Sequence, residues 1–361
     1  MQKSFLVGLE LLKKLLKKFN DNLKIIIKNK LAIFSYLTLY RIFNYLLVCL
    51  GFLWSLVIKK TKVIGLPYAL SFEPSNLCNL KCLQCPSGNG TLTRSKGIAN
   101  FNDFKQIIDE VSKYVFYLNL YFQGEPFMNP LLSEMIDYAN HKKIYTVVST
   151  NGHFINQDIA YKIIKSGLSK IIISVDGITQ DVYQTYRVNG NVNKVIDGIK
   201  IIANAKKELR KNNPLIVLQC LVFSSNENQL LEIKQLGKNI GVDEITIKTA
   251  QIYDFSNGNK LIPDNKKYSR YIQLASGEWV IKSNKPNRCF LLWSSSVITW
   301  DGFVVPCCFD KNANYVLGNL KSNTFTKIWY SEKANDFRKK VLTNRRNIDI
   351  CSNCTQGLNK L

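Results

Sequence analysis

A chain of 361 residues with 46% apolar residues and a formal net charge of +23 is long enough for one large α/β domain plus a smaller one, with a sizeable core. Its ten cysteines, at 49, 78, 82, 85, 220, 289, 307, 308, 351 and 354, fall largely into CxxxCxxC and CxxC clusters of metal-ligand spacing, which excludes the secreted disulfide-rich class and predicts a reducing, cytoplasmic setting. The charge does not predict a nucleic-acid partner: residues 1–62 hold twelve Lys or Arg against two acidic residues, and the remainder is a diffuse basic surface without a compact basic run.

In residues 4–30, Leu6, Leu9, Leu12, Leu15, Leu16 and Phe19 recur at helical spacing with Lys13, Lys14, Lys17 and Lys18 between them, the pattern of a basic amphipathic helix. The apolar stretch that follows carries Arg41 and Asn44, and its cleanest run, 42–58, spans 17 residues, at the lower limit for crossing a bilayer. It lies too far into the chain for a signal peptide, and no small-residue cleavage site follows it. A single span behind so basic an N-terminus would export all that follows, where thiolate metal chemistry is hard to sustain. Residues 1–62 are therefore expected to form a helical extension on the inner membrane surface, with the rest in the cytoplasm; packing of that extension against the domain is the alternative. Cys49 would then face lipid or core, and a lipid-linked substrate becomes an expectation.

From residue 66 the pattern changes to short β-branched or aromatic runs alternating with amphipathic stretches. Strands are predicted at 68–73, 115–122, 144–150, 170–176, 215–223 and 244–249, and helices near 101–113, 131–142, 156–166, 193–211 and 227–239. In the first helix Phe104, Ile107, Ile108 and Val111 share one face. Six such units predict a parallel sheet with crossover helices, doubly wound or curled into a barrel, with functional groups at the carboxyl ends of the strands. The unusual polar loops stand at those ends: the loop of Cys78, Cys82 and Cys85, then QGEP (123–126), STNG (149–152) and SVDG (174–177). After the sixth strand, Lys248, Tyr253 and Asp254 are candidates to face a substrate.

Three thiolates from one loop, with neither His141 nor His153 nearby in sequence, suit a 4Fe–4S cluster with one iron left open, or a zinc site that borrows a fourth ligand, with incidental cysteines as the remaining alternative. Residues 251–288 read as a linker. Beyond it, twelve residues separate Cys289 from Gly302 and four more separate Gly302 from Cys307, with alternating apolar runs around a WDG turn that predict a hairpin. Cys351 and Cys354 follow a helical stretch. Four thiolates from two distant pairs suit a zinc ribbon as well as a cluster. Cys220, mid-strand, reads as a buried core thiol, and the two histidines as ordinary surface or loop residues.

The CxxxCxxC loop after the first of six β/α units resembles the radical S-adenosylmethionine (radical SAM) superfamily, over roughly residues 66–250. The resemblance implies an α/β fold, a partial (β/α)6 TIM-like barrel. It implies a 4Fe–4S cluster on Cys78, Cys82 and Cys85 whose open iron binds S-adenosylmethionine, from which one-electron reduction yields a 5′-deoxyadenosyl radical that takes hydrogen from a substrate. QGEP resembles the Gly-Gly-Glu-Pro motif, which places Gly124 and Glu125 near the methionine amino group. STNG and SVDG resemble the loops that hold the ribose and carboxylate, implicating Ser149, Asn151 and Ser174, and VYQTYR supplies Arg187 to pair with that carboxylate. Two positions depart from the pattern: Gln84, where an aromatic is usual before the third cysteine, and Gln123, in place of the first Gly.

The later cysteines (289–361) resemble the SPASM/twitch extension, a small β-hairpin/helix domain. That implies a second, auxiliary 4Fe–4S cluster held by Cys289, Cys307, Cys351 and Cys354; the spacing favours Cys307 over Cys308. The function implied is an oxidoreductase that dehydrogenates a small-molecule, lipid- or sugar-linked substrate, with the auxiliary cluster accepting an electron. The alternatives are peptide or protein modification and a non-catalytic scaffold. The reductant would be a flavodoxin or ferredoxin, and no nucleic acid is expected.

Overall fold

The computed structural model describes residues 33–354; the basic stretch expected to be helical at 4–30 lies outside the described residues. Residues 33–38 fall outside the larger unit, and there Tyr36 N–H donates to the Ile33 carbonyl. The larger unit begins with helix α1 (Leu39–Ile58) and then alternates. Strand β1 (Ala69–Phe72) leads through a short helix, α2 (Pro86–Asn89), to α3 (Phe101–Val111). Then come β2 (Tyr117–Asn119), α4 (Leu132–His141), β3 (Tyr145–Thr150), α5 (Gln157–Lys165), β4 (Lys170–Ser174), α6 (Gln180–Tyr186), α7 (Val192–Glu208), β5 (Leu215–Val222), α8 (Leu230–Asn239) and β6 (Glu244–Thr249). Every strand and helix expected in this stretch is present, within a few residues at each end.

The helices start where the sequence offers caps. Asn100, Asn156 and Asn191 accept backbone N–H groups at the first turns of α3, α5 and α7, satisfying donors that would otherwise lack partners. Helix α3 buries Phe104, Ile107, Ile108 and Val111, as its spacing predicts. Strands β1 to β6 run parallel in sequence order. Residues such as Val147, Val148, Ile171 and Ile173 are buried along them, as in a parallel sheet covered on both faces. The strand order ends at β6 without closing, so the barrel is partial.

The 251–288 stretch, expected as a linker, is folded. It carries an antiparallel pair, β7 (Tyr271–Gln273) and β8 (Trp279–Ile281). Its Ile252, Leu261 and Ile262 join Leu80, Tyr186 and Phe223 in a second apolar cluster. Helix α9 (Leu291–Ser294) leads into β9 (Ser295–Ile298), which turns through WDG into β10 (Phe303–Val305) and β11 (Gly318–Asn319); α10 (Phe325–Trp329), α11 (Glu332–Asn344) and α12 (Asp349–Ser352) follow. The expected hairpin forms, and β9 pairs in parallel with β1. The C-terminal hairpin therefore extends the main sheet to nine strands and covers an edge that β1 would otherwise expose.

One buried ion pair ties this junction. Glu73, just after β1 and fully buried, takes both terminal nitrogens of Arg94 at 2.6 and 2.8 Å. It also accepts the N–H groups of Gln123 after β2 and Trp300 in the hairpin turn. Arg94 Nε donates in turn to the Lys311 carbonyl at 2.7 Å.

Helix α1 crosses the amino-terminal end of the sheet with its polar residues inward: Arg41, Asn44 and Ser55 are buried. Arg41 donates to the carbonyls of Ser112, before β2, and of Lys142 and Lys143, before β3. Asn44 exchanges two hydrogen bonds with Leu66, before β1. Phe52 meets Phe290 and Trp293 ahead of β9. Cys49 is half-buried and Cys220 buried.

Removing Arg94 leaves the Glu73 charge buried and uncompensated, so Arg94→Met is expected to lower unfolding free energy by about 3–5 kcal/mol. Denaturant titration checks this; a loss within the scatter of an exposed-site control would contradict it.

Candidate active site

The loop of Cys78, Cys82 and Cys85 leaves β1 and is shaped by its neighbours. Pro86 opens α2 immediately after Cys85, whose carbonyl accepts Gly88 N–H. Gly124 of QGEP sits at φ +74°, and a Cβ there would lie 2.5 Å from the Asn76 backbone. Only glycine allows this approach. Its N–H donates to Ser87, while Glu125 N–H donates to the Leu77 carbonyl at 2.7 Å. The loop after β2 thus lies directly on the cysteine loop.

Glu125 is buried and holds the loop after β3: its carboxylate accepts from Thr150 Oγ1 at 2.6 Å and from Asn151 N–H at 2.8 Å. Burial pushes its pKa up to about 7 against those hydrogen bonds. Asn151 Nδ2 donates to Asn79 at 2.7 Å and stands 3.9 Å from Cys78 Sγ. Arg187 Nε donates to Asp176 at 2.6 Å, and its guanidinium reaches Cys82 Sγ at 3.8 Å. Gly124, Glu125, Asn151 and Arg187 are therefore gathered around the three cysteines. Ser149 and Ser174 sit on β3 and β4, and neither shares a hydrogen bond with that loop among the described residues. Asp176, the aspartate of SVDG, went unassigned in the sequence; it orients Arg187 and also takes Leu221 N–H. His153 is half-buried and accepts Asn191 N–H at 2.8 Å, joining the Asn151 loop to the start of α7.

Burial pushes the Cys78 thiol up to about 12 and raises that of Cys82 against the pull of Arg187. Left alone, such thiols stay protonated at neutral pH; a bound cationic metal centre is what ionises them. Among the described residues no group of three or more His, Cys, Asp or Glu side chains is set to hold a single metal ion. The donors of a four-iron cluster stand farther apart, and three thiols around one loop match a cluster with an open iron.

The second set converges from the other end of the chain. Cys289, Cys307, Cys351 and Cys354 line one small cavity with Arg345. Cys308 is exposed and does not line it, so of the two neighbours only Cys307 faces the other three thiols. Burial raises the Cys289 and Cys307 thiols and takes that of Cys351 to about 11. Arg345, 1% exposed, sends one terminal nitrogen to Cys354 Sγ at 3.3 Å and keeps a buried Nε without a partner among the described residues. A buried guanidinium suits four thiolates around a cluster, whose assembly carries net negative charge. The sequence offered no signal for it beyond an Arg-Arg pair before the CxxC.

A cavity of about 570 Å³ lies between the two thiol sites. Leu83, Gln84 and Pro86 line it from the first site, Tyr253 and Asp254 from the folded linker, and Lys311 and Asn353 from the C-terminal region. Gln84, the departure from the family pattern, joins two of these: it accepts Tyr253 N–H at 2.9 Å and donates to Asp254 at 3.0 Å. On the far side Asn353, between Cys351 and Cys354, bonds the Ile252 carbonyl and the Tyr271 hydroxyl. Tyr253 and Asp254 thus line the cavity, while Lys248 does not.

Family comparison matches residues 72–246 to the Radical SAM superfamily and residues 289–355 to SPASM, an iron–sulfur cluster-binding domain. The tungsten-containing aldehyde ferredoxin oxidoreductase cofactor-modifying protein of Pyrococcus furiosus is 24% identical over 79% of this chain and 86% of its own. Mycofactocin maturase MftC of Mycobacterium ulcerans is 33% identical over a shorter stretch, 38% of this chain and 37% of its own. In fold, the chain is similar to Streptococcus suis SuiB, solved with S-adenosylmethionine (TM-score 0.61, 14% identity, 82% of this chain and 73% of that one) and with its precursor peptide SuiA (TM-score 0.60).

Two substitutions separate the sites. Gly124→Ala forces a methyl group into the Asn76 backbone in a strained conformation, so it is expected to lower iron by roughly half, the share of one of two equal clusters, with the second site still loaded. An unchanged iron and sulfide count would contradict it. Arg345→Gln removes a positive charge beside the second site and is expected to move that cluster's reduction potential to more negative values; spectroelectrochemical titration reads the shift, and an unmoved potential refutes the contact's electrostatic role.

Proposed function

The chain belongs to the radical SAM superfamily and carries a SPASM iron–sulfur cluster-binding domain, and on that premise we propose that it oxidises a small polar substrate held in the cavity between its two thiol sites. It is a radical SAM enzyme whose cofactors are 4Fe–4S clusters and S-adenosylmethionine. In this reading Cys78, Cys82 and Cys85 hold the cluster that binds S-adenosylmethionine, and Cys289, Cys307, Cys351 and Cys354 hold the auxiliary one. When bound, these groups supply hydrogen-atom abstraction at one end of the cavity and an electron acceptor at the other.

This chain's own residues do the positioning. Gly124 and Glu125 stand near the amino group of S-adenosylmethionine through their backbone, the Glu125 carboxylate being taken by Thr150 and Asn151. Asn151, Ser149 and Ser174 face its ribose and carboxylate from the ends of β3 and β4. Arg187, held by Asp176, presents its remaining N–H groups to the carboxylate and neutralises charge at Cys82. Lys311 lies 4.9 Å over the Tyr253 ring and within reach of Gln251. With Asp254, Asp310 and Asp349 on the same lining, it sets one amine against three carboxyl groups.

The observation that carries the reading is this cavity: its volume is in the range of small-molecule sites, and loops of both thiol sites line it. A relative that covers 79% of this chain is named for modifying a cofactor, which agrees with a small substrate. A peptide substrate is the second reading, favoured by the fold likeness to SuiB, solved with a precursor peptide. The reductant is a flavodoxin or ferredoxin, and the setting is the cytoplasm, with the inner face of the membrane as the surface this basic chain meets.

Anaerobic protein supplied with a reductant and S-adenosylmethionine should form 5′-deoxyadenosine. Replacing Cys78, Cys82 and Cys85 together by Ala should reduce that rate at least about a thousandfold, since each contributes a ligand that nothing else supplies; a triple variant that keeps the wild-type rate would overturn the assignment. Deuterated cell extract, split into small-molecule and peptide fractions, separates the two substrate readings: the fraction that transfers deuterium into 5′-deoxyadenosine contains the substrate.

A further inference from the structure

Helix α1 is built inside out for a surface helix. Arg41, Asn44, Val48, Gly51 and Ser55 recur at intervals of three and four and are the buried residues of the helix. The opposite face carries Leu39, Phe43, Leu50, Leu53, Trp54 and Val57, each 56–88% exposed. Helices that pack on a soluble domain turn their apolar stripe inward and leave the polar one in water. Here the polar stripe is used within the domain, on carbonyls of Ser112, Lys142, Lys143 and Leu66, and a broad apolar face is left outward.

We propose that α1 docks this enzyme on an anionic lipid surface, lying in the plane of the membrane with its apolar face buried, so that the cavity between the thiol sites opens toward the aqueous side. The 20-residue helix is long and apolar enough to cross a bilayer by length and composition. Crossing, however, would strip Arg41 and Asn44 of their carbonyl partners and place them in hydrocarbon. An in-plane helix keeps every one of those bonds while burying the outward face.

Charge selects lipid over a second copy of the chain. Exposed Lys59, Lys60 and Lys62 follow the helix directly, and residues 1–32 add eight lysines against Glu10 and Asp21. Two copies meeting on α1 would bring these like charges together, whereas anionic headgroups neutralise them. Trp54 and Tyr40 on the exposed face are side chains of the kind that favour the headgroup level.

The direction of the mouth follows from the fold. Contacts of α1 reach residues ahead of β1, β2, β3 and β9, at the amino-terminal end of the sheet, whereas the cysteine loop, QGEP and STNG follow the strands. A strand of five or six residues separates the two ends by about 17–20 Å. A substrate therefore enters from solution, and the lipid-embedded substrate suggested by the N-terminal charge is disfavoured. The inference goes beyond the radical reading and does not depend on it.

The full-length protein is sedimented with vesicles of phosphatidylcholine, alone or with phosphatidylglycerol. Binding is expected to the anionic vesicles, at least about tenfold weaker to the neutral ones, and at least about tenfold weaker for Leu50→Asp/Trp54→Asp. Brominated acyl chains should quench the tryptophan emission of the wild type but not of Trp54→Phe, a conservative change at an exposed position that keeps the fold. No binding to anionic vesicles, equal binding by the double variant, quenching that survives Trp54→Phe, or a wild-type dimer that the double variant dissociates would each overturn docking through α1. Vesicle-bound and free enzyme should form 5′-deoxyadenosine from S-adenosylmethionine at the same rate; a tenfold fall on binding would overturn the outward-facing mouth. Failure of that reaction in both states bears on the radical reading alone.

Discussion

Buried sulfur has to carry negative charge where water hardly reaches, and much of the architecture around both thiol sites answers that constraint. A thiol buried in apolar surroundings resists ionisation, and the shifts at Cys78, Cys82, Cys289 and Cys307 all point that way. Donors stand beside the sulfurs in compensation: Asn151 and the Leu80 N–H at Cys78, Arg187 at Cys82, and Arg345 at Cys354. Each donor is itself held. Asp176 fixes Arg187, Glu125 fixes Asn151, and the Arg288 carbonyl takes a terminal nitrogen of Arg345.

The same network sets the spacing between the two sites. The folded segment after β6 is bonded to the first cysteine loop through Gln84 and to the CxxC through Ile252, Tyr271 and Asn353. Arg270 adds bonds to the carbonyls of Thr249 and Asn353. These bonds tie the segment to both sites at once, so it restrains the cavity width instead of letting two domains drift. The hairpin of β9 and β10 does the same from the opposite side by continuing the main sheet through β1.

Helix α1 shows how a polar residue in an apolar run can be misjudged. Arg41 and Asn44 look like flaws in a membrane segment when read along the chain. In the fold they are the anchors of the helix, and the residues that look like core are the ones left outside. In the docking proposed for that exposed face, charge is the discriminant, because the basic residues that follow the helix suit an anionic surface better than a copy of themselves.

The sequence by itself determined the six β/α units, the hairpin around WDG, the grouping of the two cysteine sets, and the placement of the polar loops at strand ends. These are local matters: periodicity, caps and turn residues act over a few positions, and a thiol motif on one loop needs no partner from afar. It did not reveal the fold of residues 251–288, whose short strands carry weak periodicity. It did not show that β9 would join β1, that Glu73 and Arg94 would close the junction, or that Gln84 would serve as a bridge in place of the usual aromatic. It favoured Cys307 over Cys308 by spacing alone, and only the fold puts these neighbours inside and outside one cavity. Those outcomes depend on contacts between residues some 20 to 230 positions apart, and burial, which gives a buried arginine its meaning, exists only once the chain has closed on itself.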